Sequence, residues 1–173
     1  VLLLRPNVFN DERGYFFESF KQKIFEENGL ELNFIQDNQV LSKDAGTLRG
    51  LHYQLNNPQG KLIHVVAGSI RDVIVDIRVG SPNFGESVMI HLDDKKHEMV
   101  YVPEGFAHGY LVLEKNTIVH YKCTNYYDQA SEFGVFWKDK DLNIDWNIKE
   151  PILSKKDSNL PMLKNQKNLP ILS

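Results

Sequence analysis

The segment RGLHYQ, residues 49–54, places one imidazole between an arginine and a glutamine in a run that otherwise has the composition of a strand. A histidine in such a place is a packed core residue, a metal ligand or a catalytic base, because imidazole both coordinates metals and titrates near neutral pH. The side chains that share a cavity with His52 decide among these roles. The candidates with suitable chemistry are Lys61 and Tyr121.

Strand alternation directs both of these side chains inward. In KLIHVVA (61–67) the face that carries Lys61 is otherwise apolar, and in TIVHYKCT (117–124) Tyr121 shares its face with Cys123. An ammonium or a phenol inside a β structure is costly unless it is paired, so inward positions of this kind are more often functional than surface ones. The alternative interpretation is that both residues lie at strand ends near solvent.

The segments on either side of the loop LNNPQG (55–60) are expected to pair as a hairpin, with His52 opposite Ile63, because the loop is short and rich in turn residues. Strict alternation sets Arg49 and His52 on opposite faces of their strand. A bulge at Gly50 would reset the alternation. The sequence leaves the face of Arg49 open.

A second cluster lies in VPEGFAHGY (102–110), where Pro103, Gly105 and His108 form the P-x-G-x-x-H pattern of the second cupin motif. Cupins are double-stranded jelly rolls. A metal-binding cupin carries H-x-H in its first motif, and this chain has Gln54 in place of the second histidine. Two histidines are too few for the usual three-ligand site, so we expect no metal.

Four other histidines are interpreted as surface or hydrogen-bonded core residues: His64, His91, His97 and His120. No G-x-G-x-x-G dinucleotide fingerprint is present in the sequence, and we expect no cofactor.

The composition of the 173 residues is ordinary, with 42% hydrophobic residues and a net charge of −3. The sequence has no excess of basic residues that would indicate nucleic acid or a membrane surface as a partner. No run of apolar residues approaches the roughly 18 that a membrane helix needs. The lone cysteine, Cys123, has no partner for an internal disulfide, which fits a reducing cytoplasm. We expect a single cytoplasmic domain over 1–173, with a C-terminal extension from about residue 150.

Short β-branched and aromatic runs, broken about every 8 to 12 residues by turn residues, predict an all-β jelly roll. A short helix is expected at 21–28, ended by Gly29, and a second turn of helix near Ser154. The ten candidate strands are residues 15–20, 33–41, 47–54, 61–67, 69–79, 86–92, 98–103, 109–113, 117–124 and 132–137.

Eight segments together carry a resemblance to one family: DERGYFFESF (11–20), FIQDNQ (34–39), LRGLHYQ (48–54), QGKL (59–62), DVIVDIR (72–78), PEGFAHGY (103–110), YKCTNYY (121–127) and LSKKD (153–157). In this order they make the chain similar to the dTDP-4-dehydrorhamnose 3,5-epimerases. These are metal-free cupin-fold enzymes of dTDP-L-rhamnose biosynthesis, a pathway that supplies cell-surface polysaccharides.

The resemblance implies a role for each catalytic position. His52 would be the base that removes a proton, and Tyr121 the acid that returns one from the other face. Asp157 would orient and charge His52, although Asp72 is a second candidate for this task. Lys61 would lie near the keto oxygen, where a cation stabilises the enolate as it forms.

The resemblance also implies a set of nucleotide-sugar contacts and a homodimer with exchanged N-terminal strands. Tyr127 would stack against thymine. Arg13 and Arg49 have planar guanidinium groups that can form two hydrogen bonds to a phosphate of the diphosphate. The full set of implied contacts is Arg13, Glu18, Gln36, Asn38, Arg49, His108, Tyr127, Glu132 and Lys156.

The leading hypothesis is therefore 3,5-epimerisation of dTDP-4-dehydro-6-deoxy-D-glucose to dTDP-4-dehydro-β-L-rhamnose. A related epimerase that inverts one centre, or acts on another sugar nucleotide, is the alternative among similar enzymes. From other classes, the fold also serves non-catalytic carbohydrate or nucleotide-sugar binding and metal-dependent cupin dioxygenases.

Overall fold

The computed structural model describes residues 1–172 and contains twelve strands and one α-helix within them. In chain order the elements are β1 (Leu2–Leu4), β2 (Phe9–Asp11), β3 (Gly14–Phe16), α1 (Gln22–Glu27), β4 (Gln36–Ser42), β5 (Leu48–Gln54), β6 (Lys61–Ala67), β7 (Ser69–Asp76), β8 (Ser87–Asp93), β9 (Met99–Val102), β10 (Phe106–Val112), β11 (Thr117–Cys123) and β12 (Glu132–Gly134). Short 3₁₀ turns occupy Gln129–Ser131, Asp157–Asn159 and Leu163–Asn165. The predicted all-β class and the short helix are confirmed.

Two five-stranded antiparallel sheets make up the body of the protein. The first sheet has the order β1-β9-β6-β11-β4, and the second has the order β12-β5-β10-β7-β8. The inward residues of both sheets pack into one apolar core, because alternation along each strand places every second side chain between them. This core includes Val65, Val100 and Val119 from the first sheet and Ile70, Ile74 and Val112 from the second.

The predicted hairpin between the segments at 47–54 and 61–67 is wrong. Strand β5 pairs with β10 and β12 in the second sheet, whereas β6 pairs with β9 and β11 in the first. The partner of His52 is His108 and not Ile63, which instead pairs with Tyr121. The loop at 55–60 crosses from one sheet to the other, and local turn composition does not distinguish a crossing loop from a hairpin loop.

A bulge at Gly50 settles the face of Arg49. His52 pairs with His108 and Arg49 with Tyr110, so three steps along β5 match two steps along β10 and both side chains reach the interior. Gly50 has a φ of +115°, and a Cβ atom there would meet the Cα of Gly109 at 2.6 Å. Both positions therefore require glycine at this close approach of the two backbones.

The chain that follows β12, including the C-terminal extension, lies along the outer face of the second sheet. Trp137, Trp146 and Leu163 are buried there against strand residues such as Leu51 and Val73. Because this cluster anchors the chain on both sides of residues 154–160, the extension carries the Asp157–Asn159 turn to the edge of β5.

Several strands differ in length from the predicted segments. The segment at 15–20 keeps strand structure only to Phe16, and the segment at 132–137 only to Gly134. Strands β1 and β2 were not predicted, since three-residue strands carry too little alternation to be recognised. Within residues 1–172, no helix is long and apolar enough to cross a membrane.

Candidate active site

A cavity between the two sheets brings together the side chains that the sequence suggested for catalysis. It consists of two adjoining compartments, a smaller one of about 230 Å³ and a larger one of about 310 Å³, hereafter called the inner and the outer compartment. His52, Lys61 and Tyr121 line both compartments, so the three residues stand where the two meet. The combined space has the size and the converging polar groups of a small-molecule site.

His52 and Tyr121 enter this cavity from opposite walls. His52 belongs to β5 in the second sheet, and Tyr121 belongs to β11 in the first. Lys61 begins β6, the neighbour of β11. A flat molecule between the sheets would therefore have an imidazole on one face and a phenol on the other.

Asp157 is the carboxylate that contacts His52. His52 Nε2 lies 2.6 Å from Asp157 Oδ1, and the side chains of the two residues are 25% and 5% exposed. The hydroxyl of Ser154 accepts a hydrogen bond from the Asp157 backbone N–H at 3.0 Å and fixes the turn that presents the carboxylate. Burial raises the pKa of the Asp157 carboxyl, but the hydrogen bond and charge of His52 outweigh burial and hold the pKa below its usual value. Asp157 is therefore ionised at neutral pH.

Asp72, the other candidate partner for His52, contacts His108 instead. Its Oδ2 lies 2.7 Å from His108 Nε2, and both side chains are buried. The two histidines are cross-strand partners, so the cavity wall carries two adjacent imidazole–carboxylate pairs. Within residues 1–172 the second oxygen of Asp72 and the buried hydroxyl of Tyr110 have no hydrogen-bond partner.

Glu132 lies on the other side of the His52 ring. Its Oε1 is 4.0 Å from His52 Nδ1, and its Oε2 accepts hydrogen bonds from Tyr127 Oη at 2.7 Å and from Lys156 Nζ. Burial raises the pKa of the Glu132 carboxyl, but Lys156 and Tyr127 outweigh it, so the net pKa is below the usual value. The hydrogen bond to Glu132 raises the pKa of Tyr127 to about 12. The carboxylate of Glu132 thus lies between the ring of His52 and the half-exposed side chains of Tyr127 and Lys156.

Lys61 brings an ammonium group into both compartments of the cavity. Burial lowers the pKa of its ammonium, an effect partly opposed by the charges of Cys123, Glu132 and Asp72. Its predicted inward direction is confirmed, because it lines both compartments. A cation held in such a partly dehydrated place is suited to a negative charge that develops on a ligand oxygen.

Tyr121 keeps its proton at neutral pH. Burial raises the pKa of its phenol, and nearby Cys123 and Glu132 raise it further, while the charge of Arg49 opposes the shift. A phenol in this state donates a proton and does not compete as a base. Its predicted inward direction is also confirmed.

Seven of the predicted substrate contacts line the cavity. Arg49, His108 and Lys156 line the inner compartment. The outer compartment is lined by Gln36, Asn38, Tyr127 and Glu132. Gln36 also accepts a hydrogen bond from the Tyr127 backbone at 2.9 Å, which holds the Tyr127 ring at the mouth.

Arg13 and Glu18, the remaining two predicted contacts, line neither compartment of this chain. Arg13 follows β2 at the tip of the β2–β3 hairpin, where its exposed guanidinium pairs with Asp11 at 2.6 Å. Glu18 pairs with Lys21 on the surface. Neither residue contacts the cavity, and Glu18 lies beyond the end of the hairpin.

Some lining residues were not proposed from the sequence. Tyr110 follows His108 at a spacing of two on β10, and alternation alone would have placed it in the cavity. Val40 lies on the same face of β4 as Asn38, so alternation would also have predicted that it lines the cavity. Gln59 lies in the crossing loop, where no periodic signal exists. Among residues 1–172 no group of three or more His, Cys, Asp or Glu side chains is arranged to hold a metal ion.

Two curated proteins with similar sequences carry the same enzyme name. A curated dTDP-4-dehydrorhamnose 3,5-epimerase of Methanothermobacter thermautotrophicus is 46% identical over 167 residues, which cover 95% of this chain and 90% of that protein. The Shigella flexneri protein of the same name is 48% identical over 161 residues, covering 92% of this chain and 88% of that one.

Solved structures give the same result. A dTDP-6-deoxy-D-glucose-3,5-epimerase from Legionella pneumophila, in complex with dTDP-4-keto-L-rhamnose, superposes with a TM-score of 0.95 at 43% identity, covering 99% of this chain and 93% of that one. ChmJ, a 3'-monoepimerase from Streptomyces bikiniensis in complex with dTDP-quinovose, has a TM-score of 0.92 at 33% identity, covering 98% and 88%.

The facing antiparallel sheets and the polar cavity between them define an isomerase of the cupin-like jelly-roll type, as predicted. The sequence model of the dTDP-4-dehydrorhamnose 3,5-epimerases matches residues 1–165. The chain belongs to this family, and the resemblance inferred from its eight segments is confirmed.

Proposed function

We propose that this protein converts dTDP-4-dehydro-6-deoxy-D-glucose into dTDP-4-dehydro-β-L-rhamnose by inverting C5 and C3 of the sugar. The observation that carries the proposal is the placement of His52 and Tyr121 on opposite walls, with Lys61 between the compartments. Inversion of a carbon requires proton removal from one face and proton return to the other, and this arrangement provides one group for each face.

His52 is the base. Asp157 holds Nε2, which leaves Nδ1 to take the proton from the carbon beside the keto group. The charge of Asp157 stabilises the imidazolium that results, in the manner of a carboxylate behind a catalytic histidine.

Lys61 stabilises the enolate. As the proton leaves, negative charge moves to the keto oxygen, and a nearby cation in a water-poor site lowers the energy of that state. Tyr121 then donates its phenolic proton to the carbon from the opposite face, and the enolate electron pair forms the new C–H bond.

The nucleotide occupies the outer compartment and the mouth. The exposed ring of Tyr127 offers a stacking surface for the base, and the amides of Gln36 and Asn38 offer donors and acceptors. Arg49 and Lys156 supply the positive charge that a diphosphate needs, and His108 lines the same wall.

A homodimer completes the site in this proposal. Arg13 and Glu18 serve as substrate contacts only if the segment that carries them reaches the cavity of a second subunit, since they do not line their own. The exposed aromatic rings of Phe9, Tyr15 and Phe16 on the β2–β3 hairpin favour such a contact. Sedimentation at working concentration tests the dimer, and a monomer would contradict it. We place the protein in the cytoplasm, consistent with its single buried thiol, Cys123.

The deciding experiment is turnover of the dTDP-ketosugar in heavy water, followed by NMR. Two-centre inversion predicts deuterium at both C3 and C5 of the product. Absence of deuterium at both carbons would overturn the catalytic proposal and favour a binding protein.

A one-centre epimerase is the second candidate, favoured by the similarity to the 3'-monoepimerase ChmJ. It predicts deuterium at C3 alone in the same experiment. The side chains that remove and return protons do not themselves set the number of centres inverted, so only the labelling pattern separates the two candidates.

A further inference from the structure

The two nitrogens of His52 have different surroundings. Nε2 is held at 2.6 Å by Asp157, whereas Nδ1 has Glu132 Oε1 at 4.0 Å. A hydrogen-bonded Nε2–H fixes the neutral tautomer in which Nδ1 carries the lone pair. In the proposed reaction the proton from carbon therefore arrives at Nδ1, on the side of Glu132.

Two inversions in one binding event require the acid and the base to be reset between them. After the first inversion His52 is an imidazolium and Tyr121 is a phenolate. The second inversion needs a neutral His52 and a protonated Tyr121. One proton must leave Nδ1, and one must reach the Tyr121 oxygen, before the second carbon can react.

Asp157 is badly placed to carry the proton away. Its side chain is only 5% exposed, and it lies behind the ring, against Nε2. Glu132 is 16% exposed, and its second oxygen contacts Lys156, whose side chain is 50% exposed. Glu132 therefore connects Nδ1 to a half-exposed ammonium, whereas Asp157 is almost fully buried and contacts the opposite nitrogen of the ring.

We propose that Glu132 takes the proton from His52 Nδ1 after the first inversion and releases it to water at the mouth of the cavity. Water in the outer compartment, which Glu132 and Tyr121 both line, supplies the proton that restores the phenol. One proton leaves and one enters, so the chain returns to its starting state. This inference rests on the two-centre reaction proposed above.

Two properties of Glu132 suit a relay. The 4.0 Å separation from Nδ1 is within ion-pair range, and catalytic contacts of this kind tighten when substrate binds. The pKa of Glu132 lies below its usual value despite burial, because Lys156 and Tyr127 favour the charged form. A carboxyl of this kind accepts a proton from an imidazolium only transiently and passes it on to water, so it is free for the next transfer.

The test is a single-turnover reaction of Glu132→Gln in heavy water, with enzyme in excess over dTDP-ketosugar and the products followed by NMR. Glutamine keeps the size of the side chain but cannot accept the proton. We expect the first inversion within about threefold of wild type and the second slowed at least about tenfold. A ketosugar inverted and labelled at one centre would then accumulate.

Equal slowing of both inversions would overturn the relay, because a group that only binds substrate or stabilises the imidazolium acts on both steps alike. An unchanged Glu132→Gln protein would overturn it as well. Glu132→Asp, which retains a carboxylate, should restore part of the second step, and failure to do so in a folded protein would contradict the proposal.

Glu150→Gln is the matched control. It makes the same chemical change at an exposed carboxylate that lines neither compartment, so both inversion rates should stay at the wild-type value. A slowed second inversion in this variant would show that the effect is not specific to Glu132 and would overturn the proposal. The labelling pattern of the wild-type protein tests the proposed function separately. If only the relay proposal is wrong, the wild-type product still carries deuterium at both C3 and C5.

Discussion

His52 Nε2 and Asp157 Oδ1 lie 2.6 Å apart although 105 positions separate the two residues in the chain. The contact joins a strand of the second sheet to the C-terminal extension that packs on the outside of that sheet. The extension thus contributes to the candidate active site and also covers the apolar residues beneath it.

Asp157→Asn is expected to lower kcat roughly 100-fold or more with a small change in KM. An amide still accepts the Nε2–H bond, but it does not supply the negative charge that stabilises the imidazolium. The rate of deuterium incorporation from heavy water measures the effect. Asp141→Asn is the control. Asp141 is an exposed carboxylate that pairs with Lys164 at 3.9 Å, and this variant should have the activity of wild type. Equal rates for both variants would refute the role of Asp157.

Tyr121→Phe is expected to separate proton removal from proton return. His52 remains able to exchange a substrate proton with heavy water, but the opposite face lacks a donor. Recovered substrate should therefore gain deuterium while inverted product falls by roughly 100-fold or more. NMR of substrate and product measures both quantities. Tyr126→Phe, an exposed neighbour, should behave as wild type. Normal product formation by Tyr121→Phe would exclude it as the acid.

Lys61→Met is expected to lower kcat by roughly 100- to 1,000-fold, the usual effect of removing one group that stabilises a developing oxyanion. Its thermal unfolding midpoint should not fall, because burial already opposes the charged form of Lys61 and lowers its pKa. Steady-state kinetics and thermal unfolding provide the two measurements. Lys122→Met removes a cation that pairs with Asp37 on the outside of the same sheet and should retain activity. A large loss of stability in Lys61→Met with unchanged kcat would show a structural role.

The free energy of unfolding is expected to decrease as the pH is lowered from 6.5 to about 4, because of His64. The pKa of His64 is lowered from 6.5 to about 4, mainly by burial and to a smaller extent by the charges of the neighbouring His97 and His120. In this interval the unfolded chain binds a proton at this site that the folded chain does not, so acid favours unfolding. Denaturant unfolding at several pH values measures the slope.

His64→Leu should flatten that slope, since leucine does not titrate. Met99→Leu is the control, because Met99 is the cross-strand partner of His64 and the change preserves volume without altering titration. Parallel slopes for wild type and His64→Leu would contradict the assignment.

Strand alternation was sufficient to predict the inward direction of Lys61 and Tyr121, since the side-chain period of a strand is a local property of the backbone. The order of the motifs was sufficient to indicate the family. The same local reasoning failed for the loop at 55–60, where a hairpin was expected and the chain crosses between sheets. It was also unable to choose between Asp72 and Asp157, because both are carboxylates with no periodic relation to His52.

The sequence by itself determined the all-β class, the chemical groups of the site and the faces of most strands, because composition and alternation act over a few residues. Only the tertiary structure decided that Asp157 pairs with His52 and Asp72 with His108, and that Arg49 joins His52 through the bulge at Gly50. It also decided that His52 and Tyr121 face each other from opposite sheets. These relationships depend on which strands pair and how the extension packs, and both result from contacts between residues far apart in the chain.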